Sequence, residues 1–232
     1  MAGKKEKVRD MFNGIAGRYD FLNHFLSAGI DKVWRRKLVR MAEESSPEFI
    51  LDVATGTGDL AIALARIKPL RITGLDIAVN MLEIAAKKVK NLNLDPIINF
   101  VPGDSEQLPF EDNSFDLVTV AFGVRNFEDL DKGLSEMLRV LSPGGKVLIL
   151  EFSTVTSFPL NYLYKFYSRF VLPILGRLIS GHKSAYTYLP ESVKAFPWGK
   201  SFLEHLGKVG FIKSSQLRLS GGIATIYSGI KK

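Results

Sequence analysis

The chain contains no cysteine. Disulfides, thiolate metal sites and a cysteine nucleophile are therefore excluded. Its three histidines do not cluster with acids at metal-ligand spacing, so no metal site is expected. No apolar signal segment follows the charged start Met1-Ala2-Gly3-Lys4-Lys5-Glu6-Lys7. That start is also too short, and acidic too early, for a transit peptide. Internal repeats and low-complexity tracts are missing. So is an uninterrupted apolar run long enough to span a bilayer. The most apolar stretch, within 154–198, is broken by Lys165, Arg169 and Arg177 and would be kinked at Pro173, which argues against a transmembrane helix.

What is present suits one globular unit. A chain of 232 residues, 46% hydrophobic, fits a single α/β domain over 1–232. The net charge of +7 invites a nucleic acid or an anionic membrane surface. It also fits a merely basic soluble enzyme, and charge alone does not choose.

The chain is organised around Phe49-Ile50-Leu51-Asp52-Val53-Ala54-Thr55-Gly56-Thr57-Gly58-Asp59-Leu60-Ala61. Phe49 to Val53 reads as a buried strand. Gly56 and Gly58 let the backbone turn sharply and approach a ligand closely. Leu60, Ile62, Ala63, Leu64 and Ile67 then fall at helical spacing, with the helix N-terminus facing the turn. Alone, Gly56-x-Gly58-x-x-Ala61 fits a dinucleotide fingerprint ending in Ala as well as it fits other cofactors. Two further carboxylates sharpen it. A second strand, 70–75, ends in Asp76, placed to accept hydrogen bonds from ribose hydroxyls. A third, 97–101, leads into Pro102-Gly103-Asp104-Ser105, where an adenine amino group could be held. Asp52, Asp76 and Asp104 at successive strand ends resemble the S-adenosylmethionine-dependent methyltransferases. A cationic sulfonium tolerates carboxylates near the glycine turn, whereas a pyrophosphate prefers bare amides.

The remaining elements follow in order. Residues 8–30 mix aromatics with Asn, Asp and His and read as a short, partly helical cover over the open end of the sheet, within a cover of 1–45. Ile30, Val33, Trp34, Leu38 and Met41 mark a basic amphipathic helix over 30–42, which suits packing on the sheet, a membrane surface, or both. A helix over 79–92 follows the second strand, and 107–114, after the third, reads as a turn-rich loop. A fourth strand, 115–122, ends at Gly123-Val124-Arg125-Asn126. A helix over 130–141 is stopped by Ser142-Pro143-Gly144-Gly145. A fifth strand spans 146–152, and two more, 211–219 and 223–230, meet at the turn Ser220-Gly221-Gly222. The expected fold is a Rossmann-like seven-stranded sheet with helices on both faces. The first five strands are linked by helices and the last two are antiparallel. An apolar helical insertion, 154–198, precedes those last two and reads as a lid suited to an apolar substrate.

Four outer motifs resemble one family, the quinone-biosynthesis C-methyltransferases. They are Tyr19-Asp20-Phe21-Leu22-Asn23 with Ser27 and Trp34; Phe122-Gly123-Val124-Arg125-Asn126; Arg139-Val140-Leu141-Ser142-Pro143-Gly144-Gly145 with Glu151-Phe152-Ser153; and Tyr186-Thr187-Tyr188-Leu189-Pro190-Glu191-Ser192. The likeness covers the chain from Val8 onward. Leu22 stands for the usual Met, Asp31 for the usual His and Ser142 for the usual Lys. The resemblance implies that S-adenosylmethionine is the cofactor, held at Thr57, Asp76, Asp104 and Ser105. It implies a polyprenylated quinol as substrate, either demethylmenaquinol or a polyprenyl-methoxybenzoquinol.

The residues themselves give the cofactor candidates Asp52, Gly56, Gly58, Asp76 and Asp104, and the resemblance adds Thr57 and Ser105. Methylating a ring carbon requires an electron-rich, phenolate-like quinol. Arg125 can stabilise that charge, Asn126 can bond a ring oxygen, and Tyr19 can orient the ring or relay a proton. Tyr186, Tyr188, Phe166 and Phe170 can line the substrate pocket. The plainer alternatives are a surface ion pair of Arg125 with Glu128 or Asp129, and ordinary packing for the tyrosines. His24 could act as a base, and His205 reads as structural. An enzyme of this kind is expected in the cytoplasm, peripherally bound to the inner face of the membrane and without a nucleic-acid partner. The lack of a targeting extension points to demethylmenaquinol. An RNA methyltransferase and a non-catalytic nucleotide-binding module are the competing classes. Oligomeric state, a homodimer included, stays open.

Overall fold

The computed structural model describes residues 3–27, 29–155, 162 and 183–232, and of residues 21–26 and 183–187 only the backbone. Its elements are helix α1 (Lys4–Leu26), α2 (Ile30–Glu43), β1 (Phe49–Val53), α3 (Asp59–Leu64), β2 (Arg71–Asp76), α4 (Val79–Asn91), β3 (Ile98–Pro102), β4 (Phe115–Ala121), α5 (Leu130–Val140), β5 (Leu141–Phe152), α6 (Lys183–Ala195), α7 (Lys200–Val209), β6 (Ile212–Leu219) and β7 (Ala224–Ile230). One 3-10 turn, Val124–Asn126, matters for the site.

The seven strands form one sheet in the order β3-β2-β1-β4-β5-β7-β6. β1 to β5 are parallel, and β7 runs antiparallel to both β5 and β6. The strand order reverses between β1 and β4. In open parallel sheets the crevice at that reversal is where ligands bind.

Side chains alternate along each strand and fill two separate cores. On β4 and β5, Val118, Val120, Val147 and Ile149 join one core, with Leu134 and Met137 of α5 and Phe202 and Leu206 of α7. Leu117, Leu148 and Leu150 join the other, with Trp34, Leu38 and Ala42 of α2. Both faces are thus covered, as the near-continuous apolar strands require. Each fully buried Leu or Ile contributes about 1.5–3 kcal/mol. Trp34 also donates from Nε1 to Ser220 Oγ at 2.9 Å, tying α2 to the β6–β7 turn. Asp129 caps α5 by accepting from Lys132 N–H at 3.0 Å.

Three expectations need correction. The N-terminal cover is a continuous 23-residue helix, not a short partly helical segment. Asn13, Gly14 and Gly17 lower its intrinsic propensity. Packing compensates, because Ile15 and Ala16 are buried against Ala78 and Met81 at the start of α4. Helices do not link all of the first five strands, since β3 and β4 are joined by a loop over 103–114 that includes the expected turn-rich stretch 107–114. Ser142-Pro143-Gly144-Gly145 ends α5 but leaves no loop, since β5 already starts at Leu141. Gly144 takes a positive φ of 81°, and its N–H donates to Lys231 O at 3.0 Å. Among the described residues no helix is long and apolar enough to cross a membrane. Most of the 154–198 insertion, with Phe166 and Phe170, lies outside the described residues.

Candidate active site

The site is built where β1, β2, β3 and β4 end. After β1 the chain turns through Ala54 to Gly58 into α3. Gly58 N–H donates to Thr55 O, and Thr55 N–H to Leu75 O, each at 3.0 Å. Gly56 has φ +57°, and a Cβ there would meet nothing within 4 Å among the described residues. The turn therefore needs glycine for its conformation and leaves the wall of the crevice open. At Gly58 (φ +79°) a Cβ would lie 3.1 Å from Ala85 Cβ and 3.2 Å from the Phe100 ring, so glycine there also permits close packing.

Two of the eight non-glycine residues with positive φ among the described residues border the crevice. Ala54 (φ 52°) follows β1 and Phe122 (φ 60°) follows β4. Such strain persists only where surrounding structure enforces it, and it concentrates at functional sites.

Asp76 closes β2. Its Oδ2 accepts Gly56 N–H and its Oδ1 accepts Ala78 N–H, both at 2.8 Å. Burial pushes its carboxyl above the usual range, against the pull of those backbone bonds. Asp104 lies beyond β3. It accepts Glu106 N–H on Oδ1 at 2.9 Å and meets Lys5 Nζ on Oδ2 at 2.5 Å. Glu106 is buried and takes Glu128 N–H at 2.7 Å, which braces this loop against the one after β4. From above, α1 contributes Val8, Phe12 and Tyr19, the two rings meeting edge-on at 5.8 Å.

The result is a cleft of about 710 Å³, its open mouth included. It brings together Tyr19, Gly56, Asp76, Asp104, Ser105 and Asn126. Asp52 does not reach it. That carboxylate is buried under the glycine turn, accepting Thr55 Oγ1 at 2.6 Å and Thr119 Oγ1 at 2.8 Å. Burial raises its pKa to about 6 despite those two bonds and the nearby Arg35. Thr57 donates its hydroxyl to Asp20 of α1 instead of lining the cleft. Asp31, one of the three departures from the family motifs, pairs with Arg35 in a buried contact and accepts Ser27 Oγ at 2.6 Å.

Arg125 and Tyr188 border a second cavity beside the first, with Ser192 and Glu191 of α6. Tyr188 donates to Asn126 Oδ1 at 3.0 Å, joining the two. Arg125 does not pair with Glu128 or Asp129. Its partner is Glu151 at the end of β5, at 2.9 Å, and its Nη1 also donates to Phe122 O. The Tyr186 side chain lies outside the described residues. His205 sits away from both cavities, 2.5 Å from Asp131, in keeping with a structural role. Lys5, Glu106 and Glu151 were not legible as site residues from spacing, because their partners are distant in the chain.

A model of the ubiE/COQ5 methyltransferase family matches residues 1–231. The chain belongs to that family. A demethylmenaquinone methyltransferase of Bacteroides fragilis is 48% identical over 229 residues, covering 98% of this chain and 94% of its own. A ubiquinone/menaquinone biosynthesis C-methyltransferase of Geotalea daltonii is 47% identical over 230 residues, covering 98% and 97%. Among solved structures, the cyclase SpnF superposes with a TM-score of 0.67 at 17% identity, covering 99% of this chain and 97% of its own. A SAM dependent methyltransferase from Aquifex aeolicus gives 0.58 at 18% identity, covering 80% and 82%. Those two likenesses speak to the fold alone.

This family is one of methyltransferases, and the methyl donor that the sequence motifs point to is S-adenosylmethionine. The cleft's donor and acceptor set fits that cofactor. Asp76 and Asp104 offer carboxylate oxygens to hydroxyl and amino groups, and the open Gly56 wall admits a close approach. Gly56, Asp76, Asp104 and Ser105 would hold it. When bound, it supplies an electrophilic methyl on a sulfonium.

Proposed function

We propose that this protein C-methylates the ring of a polyprenylated quinol, demethylmenaquinol in the first instance. The observation that carries the reading is the wall at Val124–Asn126. Asn126 borders the cofactor cleft, Arg125 borders the adjoining cavity, and Tyr188 bonds Asn126 across the boundary. A ring held in the second cavity would thus lie beside the cofactor. Arg125 favours negative charge on a ring oxygen, and Asn126 and Tyr188 orient that oxygen. Tyr19, which lines the cofactor cleft, would orient the ring or relay its proton where the two cavities meet. Such a ring nucleophile must be reduced, because the oxidised quinone is electron-poor.

A second reading, the methoxybenzoquinol of ubiquinone formation, has support in the name of the Geotalea relative. We further propose peripheral attachment to the inner face of the cell membrane, where such substrates reside, through the cationic outer face of α2. The test is transfer of a labelled methyl group to both reduced quinol classes, with the oxidised quinone and bulk RNA as controls. Label on reduced demethylmenaquinol is expected. Equal labelling of reduced and oxidised forms, or label on RNA alone, would overturn the reading.

A further inference from the structure

Glu151 is fully buried, the last residue but one of β5. Its Oε1 meets Arg125 Nη1 at 2.9 Å and accepts Phe152 N–H at 2.8 Å. Its Oε2 accepts the Arg125 backbone N–H at 3.3 Å. One carboxylate thus holds both the guanidinium and the turn that carries it. The Arg125 side chain is only 6% exposed, its Cζ lies 5.5 Å from the Phe152 ring centre, and its buried Nε has no partner among the described residues. The carbonyl that Nη1 also contacts belongs to Phe122, which lines the cofactor cleft. The ion pair therefore sits directly behind the cleft wall.

A lone guanidinium there would oppose the protein's own cofactor. S-adenosylmethionine carries a positive sulfonium, and like charges repel strongly where water is excluded. S-adenosylhomocysteine, left after the methyl departs, is a neutral thioether and feels no such repulsion. We propose that Glu151 is a positioning residue that fixes Arg125 and offsets its charge on the side of the cofactor cleft, so that the cleft accepts a cationic cofactor while the guanidinium still faces the substrate cavity. Tyr188 senses the same balance. Burial raises its pKa most, Arg125 lowers it, and Glu151 raises it again. The inference rests on the cofactor's place in the cleft and not on the identity of the substrate.

The experiment is calorimetric titration of both cofactor forms into the wild type, Glu151→Gln, Arg125→Gln and the double variant. Wild-type binding tests the cofactor assignment separately. In Glu151→Gln, affinity for S-adenosylmethionine should fall roughly five-fold or more while that for S-adenosylhomocysteine changes less than about two-fold. Arg125→Gln leaves a lone carboxylate and should move the ratio the other way, toward the cationic form. The double variant should return to within about two-fold of the wild-type ratio. A merely structural Glu151 would weaken both forms equally. Equal losses, or a ratio that Arg125→Gln leaves unmoved, would overturn the proposal. If Glu151→Gln fails to fold with its buried cation unpaired, Arg125→Gln and the double variant decide it.

Discussion

Lys5 Nζ lies 2.5 Å from Asp104 Oδ2 and 3.4 Å from Glu106 Oε2, joining the first turn of α1 to the loop beyond β3. Further along the same helix, Asp20 accepts the Thr57 hydroxyl and pairs with Lys88 at 2.9 Å. The cover is thus pinned on both sides of the cleft. One pin holds a carboxylate expected to meet the cofactor, and the other holds the glycine turn.

Lys5→Met should loosen the first pin without harming the sheet. Both partners are 30% exposed, so the pair contributes about 0.2–1 kcal/mol. Amide exchange should quicken over the first turns of α1 and stay slow in β1 and β4. Uniform protection across α1 in the variant would show that apolar packing of Val8 and Phe12 holds the cover by itself.

Asp76→Ala removes an acceptor for Gly56 and Ala78 as well as a proposed ribose contact. Leaving such groups without a partner costs roughly 1–3 kcal/mol. Affinity for S-adenosylmethionine should drop accordingly in a direct titration. An unchanged affinity would take Asp76 out of the site.

Asp52 makes stability depend on pH. Its folded pKa of about 6 lies above the 3.8 of the free side chain. Between those values the folded state holds more protons than the unfolded state, so stability falls as pH rises from about 4 to 6. The shift corresponds to roughly 3 kcal/mol at most, at about 1.4 kcal/mol per pH unit. Asp52→Asn keeps an oxygen for one threonine hydroxyl and offers an N–H to the other. Melting curves from pH 4 to 7.5 should show the variant gaining on the wild type as pH rises. Parallel curves would assign the slope to other groups.

Much of this was legible in the sequence because the signals are local. The strand, glycine turn and helix at 49–61 occupy adjacent positions, and strand-end carboxylates converge wherever parallel strands stack in register. What was not legible depends on that register. The pairing of Ala121 with Leu150 brings the end of β4 beside the end of β5, so Arg125 meets Glu151 instead of the nearer Glu128 or Asp129. Thr57 likewise turns to Asp20 because α1 runs on over the cleft. No short-range pattern marks either partner. The length of α1 was missed for the same reason: tertiary burial of Ile15 and Ala16 outweighs the glycines around them.

The membrane proposal makes a demand on α2. Trp34, Leu38 and Ala42 face the core, while Lys32, Arg36, Lys37 and Arg40 are exposed. Ile30 and Val33 stand among those cations, 39% and 50% exposed. A face of this kind suits an anionic lipid surface: each cation contributes about 1 kcal/mol near the headgroups, and exposed apolar side chains can enter the interface. Exposed charges are screened within about 3 Å at 1 M salt, against about 10 Å at 0.1 M. The protein should therefore sediment with phosphatidylserine-containing vesicles at low salt, be released at high salt, and ignore neutral vesicles. Replacing Lys32, Arg36 and Arg40 by Glu should abolish the sedimentation and leave the melting temperature nearly unchanged, since the buried Asp31–Arg35 pair on the same helix is untouched. Turnover of a soluble short-tailed quinol should survive that change, while turnover of a vesicle-borne long-tailed quinol should fall. Wild-type protein that stays in the supernatant at low salt, or a variant that sediments as well as the wild type, would mean that the outer face of α2 is only a solvated surface.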